Sequence, residues 1–262
     1  MAEIIKYKAA EVAFHIKHDI REIPSGKTYG NESIDKSKTH ENYSLIKRGK
    51  NAKEINSYRK QIEKEIFKYN RKDLVHAVEV VVQCPIDCSE PQKEAFFQET
   101  YNYIVEQLPM GERCVFVAEV HRDEKHFSPD GEMISKDHLH LMYIPAVPDT
   151  KHAGYEFKLC ADALTKRSNL KAFHPGLQRY LDNAGIKATV YGGKSAGKTL
   201  ALSASQLKEL TNKTGVVIDK SFSFDQLVEI IKENEQLKQK IKDMEVIKER
   251  SNVWEKDLTI EF

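Results

Sequence analysis

Residues 115–145 read VFVAEVHRDEKHFSPDGEMISKDHLHLMYIP. Two apolar, β-branched runs flank a polar insert carrying Ser128, Pro129, Asp130 and Gly131, so the stretch is predicted as a β-hairpin with a long loop. His121 closes the first run, and His138 and His140 open the second. Side chains two apart on a strand share a face, which lets His138 and His140 grip one ion while His121 reaches it from the neighbouring strand. Three imidazoles with carboxylates nearby suit a divalent ion such as Mn²⁺, Zn²⁺, Ni²⁺ or Co²⁺. The bland alternative is a hairpin whose histidines are merely packed. His-x-x-Glu followed by His-x-His on adjoining strands argues against it.

Outward from the hairpin, Leu74 to Cys84 (LVHAVEVVVQC) is the strongest strand signal and is predicted inside a sheet. Ile4 to Tyr7 is a shorter strand candidate, and Ala9 to Arg21 has helical character. Ala52 to Tyr69 places Ile55, Tyr58, Ile62, Ile66 and Tyr69 three and four apart, predicting an amphipathic helix with a basic outer face. A helix from Ser89 or Glu90 to Leu108 carries Phe96, Phe97, Tyr101, Ile104 and Leu108 as its core stripe. Strand, helix, strand, strand is the order of an α+β sandwich: an antiparallel β-sheet with packed helices. Further helices are expected near Leu159 to Arg167, Phe173 to Asn183 and Ser203 to Asn212, with a short strand at Lys187 to Tyr191.

The chain of 262 residues has room for one large domain, or one domain plus an extension. Its net charge of +1 conceals local asymmetry. Lys47 to Asp73 holds ten Lys/Arg against four Asp/Glu, Lys151 to Lys213 eleven against four, and Asp225 to the end seven against ten. Two basic segments point to a polyanion, nucleic acid being the commonest. The alternative is ordinary solvated helix faces. Cys84, Cys88, Cys114 and Cys160 match neither a paired zinc motif nor a secreted disulfide framework, and are read as reduced in a cytoplasmic protein. No run approaches the ~18 apolar residues a membrane helix needs, so no membrane segment is expected.

Two C-terminal features complete the reading. Leu227, Ile230, Asn234, Leu237, Ile241, Met244 and Lys248 alternate steps of three and four, an a/d seam with Asn234 at an a position. This predicts a C-terminal helical coiled-coil extension, residues 216–262, that forms a homodimer behind a catalytic domain of residues 1–215. Gly192 to Thr199 (GGKSAGKT) satisfies G-x-x-x-x-G-K-[ST], the P-loop pattern of nucleotide hydrolases. Against that reading, no later strand ends in a clear magnesium-binding aspartate. A basic glycine turn whose Lys194 and Lys198 touch DNA phosphate fits the same residues better.

AFHIKHDIRE, with His18 and Arg21; SKTHENYSLI, with Asn42, Tyr43 and Leu45; and VHRDE followed by DHLHLMYIP together resemble the three motifs of the MobV (Pre/Mob) plasmid mobilisation and recombination relaxases, within the HUH endonuclease superfamily. The likeness runs over roughly residues 1–150. Two departures concern the loop: thirteen residues, Lys125 to Asp137, separate Glu124 from the His-x-His pair where the family has a few, and Asp137 stands where proline is common.

The resemblance implies an HUH relaxase-like fold and a relaxase that nicks one strand of single-stranded or hairpin DNA at an origin of transfer. It implies His18 as nucleophile, forming a phosphoramidate with the 5′ phosphate. Arg21 would grip that phosphate. His121, His138 and His140 would hold the ion, Mn²⁺ first, with Mg²⁺, Zn²⁺, Ni²⁺ or Co²⁺ as alternatives. Glu124 would take a proton from His18 or serve as a fourth ligand, with Asp123 supporting a ligand. Asn42, Tyr43, Lys47, Arg48, Lys50 and Arg59, with Lys194 and Lys198, are the expected DNA contacts. Tyr43, and after it Tyr7, are the backup nucleophiles. Competing readings are a rolling-circle initiator or HUH transposase with a helical tyrosine nucleophile, for which Tyr180 is the candidate, a non-catalytic dimeric DNA-binding protein, and the P-loop ATPase.

Overall fold

The 115–145 stretch forms the middle of a five-stranded sheet. The computed structural model describes residues 2–22, 34–127, 133–135, 137–191, 204–216, 218 and 227–240. The sheet runs β1–β4–β8–β5–β2, with β1 Ala2–Lys8, β2 Tyr43–Ser44, β4 Val75–Gln83, β5 Val115–His121 and β8 His138–Tyr143. Every neighbouring pair is antiparallel. The predicted hairpin is β5 with β8, and its insert carries a smaller ribbon of β6 (Lys125–Phe127) and β7 (Met133–Ser135).

Register sorts the two faces. Glu119 pairs with His140 and His121 with His138, while Val81 pairs with His140 and Gln83 with His138. Paired residues share a face and successive residues alternate, so Glu79, Glu119, His121, His138 and His140 lie on one side. Val78, Val80, Val82, Ala118, Val120, Leu139 and Leu141 lie on the other. All six residues of β8 are buried, because both faces are covered.

Helix α1 (Ala9–Asp19) covers the histidine face against β4 and β5, with α2 (Ala52–Glu63) beside it. On the apolar face α3 (Lys93–Glu106) meets α5 (Arg167–Asn183). The predicted stripe of α3 is buried, Phe96 and Phe97 most completely. At Gly176 of α5 an added Cβ would sit 2.3 Å from the Tyr103 hydroxyl, so glycine permits the close approach.

Several elements differ from expectation. Helix α2 stops at Glu63, and Ile66 enters β3 (Ile66–Phe67), which pairs in parallel with β10 (Phe157–Leu159). Ile66 is buried there as it would be on a helix, so the spacing alone did not separate the two. Strand β10, itself antiparallel to β9 (Ala146–Pro148), replaces the start of the helix expected near Leu159, leaving only α4 (Ala161–Leu164). Helix α5 runs unbroken through 168–172 and past Pro175. Lys187 to Tyr191 forms no strand, because its backbone donors are taken by side chains: Thr189 N by Asp87, and Val190 and Tyr191 N by Gln178. The P-loop reading thereby loses its preceding strand, and residues 192–199, with Lys194 and Lys198, lie outside the described residues. All four cysteines are free, as expected.

The chain divides into two compact units, Met1–His126 with Met133–Lys194, and Phe127–Glu132 with Ser195–Phe262. Within the second unit α6 (Ala204–Thr214) and α7 (residues 227–240) pair, with Leu210 and Ile231 packed on Ile218 and Leu227. Asn234 donates to the Thr214 carbonyl at 2.5 Å, so this chain's own helix end satisfies the amide expected at a dimer seam. The seam beyond 240 lies outside the described residues.

Candidate active site

Three histidines converge where β5 and β8 meet. His121, His138 and His140 are 0%, 5% and 8% exposed, and each offers a ring nitrogen within 4.8 Å of those of the other two. Two of them have the second nitrogen engaged around the site. His140 Nδ1 bonds to Glu79 Oε1, with Asp19 Oδ1 3.5 Å away. Tyr7 donates its hydroxyl to the other oxygen of Glu79. His121 Nε2 donates to the Asp19 carbonyl at 2.6 Å, leaving Nδ1 buried without a partner. An orphaned lone pair beside two more imidazoles, one oriented by a carboxylate, fits a divalent cation's donor set.

The electrostatics treat two of the ligands oppositely. Burial, reinforced by His140, Arg21 and His138, holds His121 well below the usual histidine range. Burial also disfavours charge on His140, but Asp19 and Glu79 outweigh it and raise that group.

His18 lies in the last turn of α1, its ring 6.2 Å from that of His140. Burial first, then Arg21 and His140, lowers its pKa, so its imidazole is held neutral, the form that can act as a nucleophile. The next turn fixes how the helix ends. Arg21 N bonds to His18 O and Glu22 N to Lys17 O, a Schellman closure, with Arg21 at φ +54° where glycine is usual.

From that turn the Arg21 guanidinium forks onto Asp123, Nε at 3.1 Å and Nη2 at 2.8 Å, and reaches Glu124 at 2.9 Å. Arg21 is 8% exposed and its guanidinium ties α1 to the loop after β5. Asp123 also accepts from Thr39 at 3.0 Å. Glu124 stands between Arg21 and His138, 3.8 Å from His138 Nε2. Burial alone would raise Glu124; His138 and Arg21 instead lower it, keeping it an anion.

Other expected residues fall elsewhere. Tyr43 pairs with Val120, so it faces away from the histidines, and burial pushes its hydroxyl up to about 12. Tyr180 is bonded to Glu106 on the apolar-face layer. The tyrosine-nucleophile readings therefore lack a hydroxyl free at the site among these three. Asn42 accepts from Arg122 N at 2.8 Å, holding the strand end that carries His121. Arg59 is corrected: it is 2% exposed, paired with Glu63 and bonded to Asn56, and so is not on the outer face of α2. Arg48 is mostly committed to the Val115 and Glu112 carbonyls and lies 4.8 Å over the Tyr58 ring. Lys47 and Lys50 are both exposed.

Sequence reasoning missed Asp19 and Glu79, and took Tyr7 only as a candidate nucleophile where it supports Glu79. The available signal was Glu79 itself, a carboxylate inside the most apolar strand, which requires a buried partner. Asp137, at the family's proline position, accepts from Lys93 at 3.0 Å and lies 3.3 Å from Arg122 Nε, fixing the start of β8.

An antiparallel sheet bearing a three-histidine centre on two strands, faced by a helix-borne histidine, defines an HUH relaxase-like protein. The profile of the plasmid recombination enzymes, Mob_Pre, matches residues 1–200, and the chain belongs to that family. A plasmid recombination enzyme of Streptococcus agalactiae is 28% identical over 197 residues, covering 71% of this chain and 34% of the relative. The chain thus spans about a third of that relative's length. A crystal structure of the MobM relaxase domain (MOBV), Mn-bound and in complex with plasmid pMV158 oriT DNA, superposes with a TM-score of 0.60 at 25% identity, covering 80% of this chain and 97% of that one. A second Mn-bound structure of that domain on the same origin gives 0.59.

Proposed function

We propose that this chain is a relaxase that cuts one strand of origin-of-transfer DNA and keeps its 5′ end as a histidine phosphoramidate. The observation that carries the reading is His18, neutral, 6.2 Å ring to ring from His140 of the three-histidine centre. The His18 imidazole attacks phosphorus, the new N–P bond replaces the P–O3′ bond, and the 3′ oxygen leaves as a hydroxyl. The proton lost from His18 passes to Glu124, held as an anion by Arg21 and His138, and solvent protonates the leaving oxygen. His121, His138 and His140 would hold the divalent ion, whose chemistry is Lewis-acid polarisation of a phosphate oxygen. Mn²⁺ is the proposed ion, supported by the Mn-bound relative.

The proposed partner is single-stranded or hairpin DNA at an origin of transfer, in the cytoplasm. No described helix is long and apolar enough to cross a membrane. Homodimerisation through the C-terminal segment is proposed alongside, supported by the a/d spacing and by Leu237, which is 56% exposed, while Leu227 and Asn234 of that spacing are engaged within the chain. The test is a nicking assay on labelled single-stranded origin DNA with and without Mn²⁺, read on a denaturing gel. His18→Ala should abolish the protein–DNA adduct and Tyr43→Phe should retain it. The reverse pattern contradicts the assignment.

A further inference from the structure

A cleft of about 380 Å³ opens beside the histidine centre, lined among others by Ile20, Ser44, Lys47, Lys50, Phe116 and Glu119. Its place is set by the two elements that build the site. Ile20 is two residues beyond His18, and Glu119 is two before His121 on the same face of β5, opposite His140. Ser44 is opposite Glu119 on β2 and donates its hydroxyl to one carboxylate oxygen. A second acid in the lining, Glu22, is already used, accepting from Ala52 N at 2.7 Å.

This chemistry is selective. Lysines attract a phosphodiester backbone, and the Glu119 carboxyl, which burial pushes up to about 7, keeps one oxygen beyond the Ser44 bond to accept from a group that brings N–H donors. The half-buried Ile20 and Ile46 of the cleft lining suit the flat face of a ring. The volume is in the range of small-ligand sites. A nucleobase with an exocyclic amine meets all three conditions: its amine donates to Glu119 as cytosine N4 does to acidic side chains, its ring faces the apolar walls, and its flanking phosphates meet Lys47 and Lys50. Thymine offers one N–H between two carbonyl oxygens and would set an acceptor against the carboxylate.

We propose that this cleft takes one unpaired, amino-bearing base of the DNA strand, and that Glu119 is its specificity residue. The proposal rests on the relaxase reading for its partner, single-stranded DNA. Its test needs neither cleavage nor a known origin. Labelled oligo(dC) and oligo(dT) of equal length are titrated with the whole chain in EDTA at fixed salt. Wild type should prefer oligo(dC) by about tenfold, the order of one good base contact. Glu119→Gln, which keeps a partner for Ser44, should bring the ratio near one while binding persists, and Lys47→Ala should weaken both oligonucleotides alike. A wild-type ratio near one, or a preference that survives Glu119→Gln, overturns the proposal. Absence of nicking with the preference intact would count against the relaxase reading alone; nicking with no preference would count against the cleft alone.

Discussion

Arg21 and Asp123 join the two halves of the site: the guanidinium closing α1 lies 2.8 Å from a carboxylate on the loop that follows β5. Their side chains are 4% and 0% exposed, so removing either strands a buried charge, at a cost of about 3–5 kcal/mol. Arg21→Ala and Asp123→Ala should each lower stability in urea unfolding by that order. The double variant should lose much less than their sum. Additive losses would show that the pair does not act as one unit. Arg21→Gly relieves a left-handed residue, a gain of roughly 1 kcal/mol, yet should still be destabilised because the fork is gone.

Glu79 orients His140 and is itself held by Tyr7. Loss of such a support typically lowers metal affinity by roughly 10–100-fold. Glu79→Gln should show this in calorimetric titration with Mn²⁺, and Tyr7→Phe should show a smaller loss in the same direction. Unchanged affinity in Glu79→Gln would mean that His140 needs no orienting carboxylate.

Glu63 is buried with Arg59 as its neighbour, 3.2 Å from His76 and 3.6 Å from Lys68. Burial pushes its carboxyl up, but the His76 bond, Arg59 and Lys68 together hold it below the ordinary 4.5. A depressed folded pKa contributes stability that is complete above 4.5 and is lost as pH falls through the folded value. Glu63→Gln should therefore lower the melting temperature at neutral pH and flatten the acid limb below 4.5. An unchanged acid limb would remove Glu63 from the account.

Arg59 and Lys47 separate structure from DNA contact. Arg59→Gln should reduce stability and leave the salt dependence of single-strand binding intact. Lys47→Ala should reduce the slope of log affinity against log salt by about 0.7, the single-strand value for one phosphate contact. A reduced slope in Arg59→Gln would place that side chain on DNA after all.

The hairpin was legible because a metal site on strands leaves a period-two signature, His138 and His140, that needs no knowledge of distant chain. The supporting ring was not. Asp19 and Glu79 are 60 residues apart in sequence and meet only because β4 lies beside β8 under α1. The Arg21 fork was hidden for a related reason: an arginine next to a nucleophile suits a phosphate or a carboxylate equally, and the left-handed turn that aims it at Asp123 is invisible in composition. Arg59 has the residue type of an outer-face charge, but its partner Glu63, one turn on, is buried with it. The length of α2 failed at Ile66, whose burial in β3 obeys the same spacing as a helix.

The central claim, that His18 is the covalent nucleophile, is tested most directly by locating the bond. Protein incubated with labelled single-stranded origin DNA and Mn²⁺ is digested, and the DNA-bearing peptide is identified by mass spectrometry. The expected result is a nucleotide on the peptide containing His18, released by mild acid as a phosphoramidate is. A nucleotide found on Tyr7, Tyr43 or Tyr180, in an acid-stable linkage, would contradict the account.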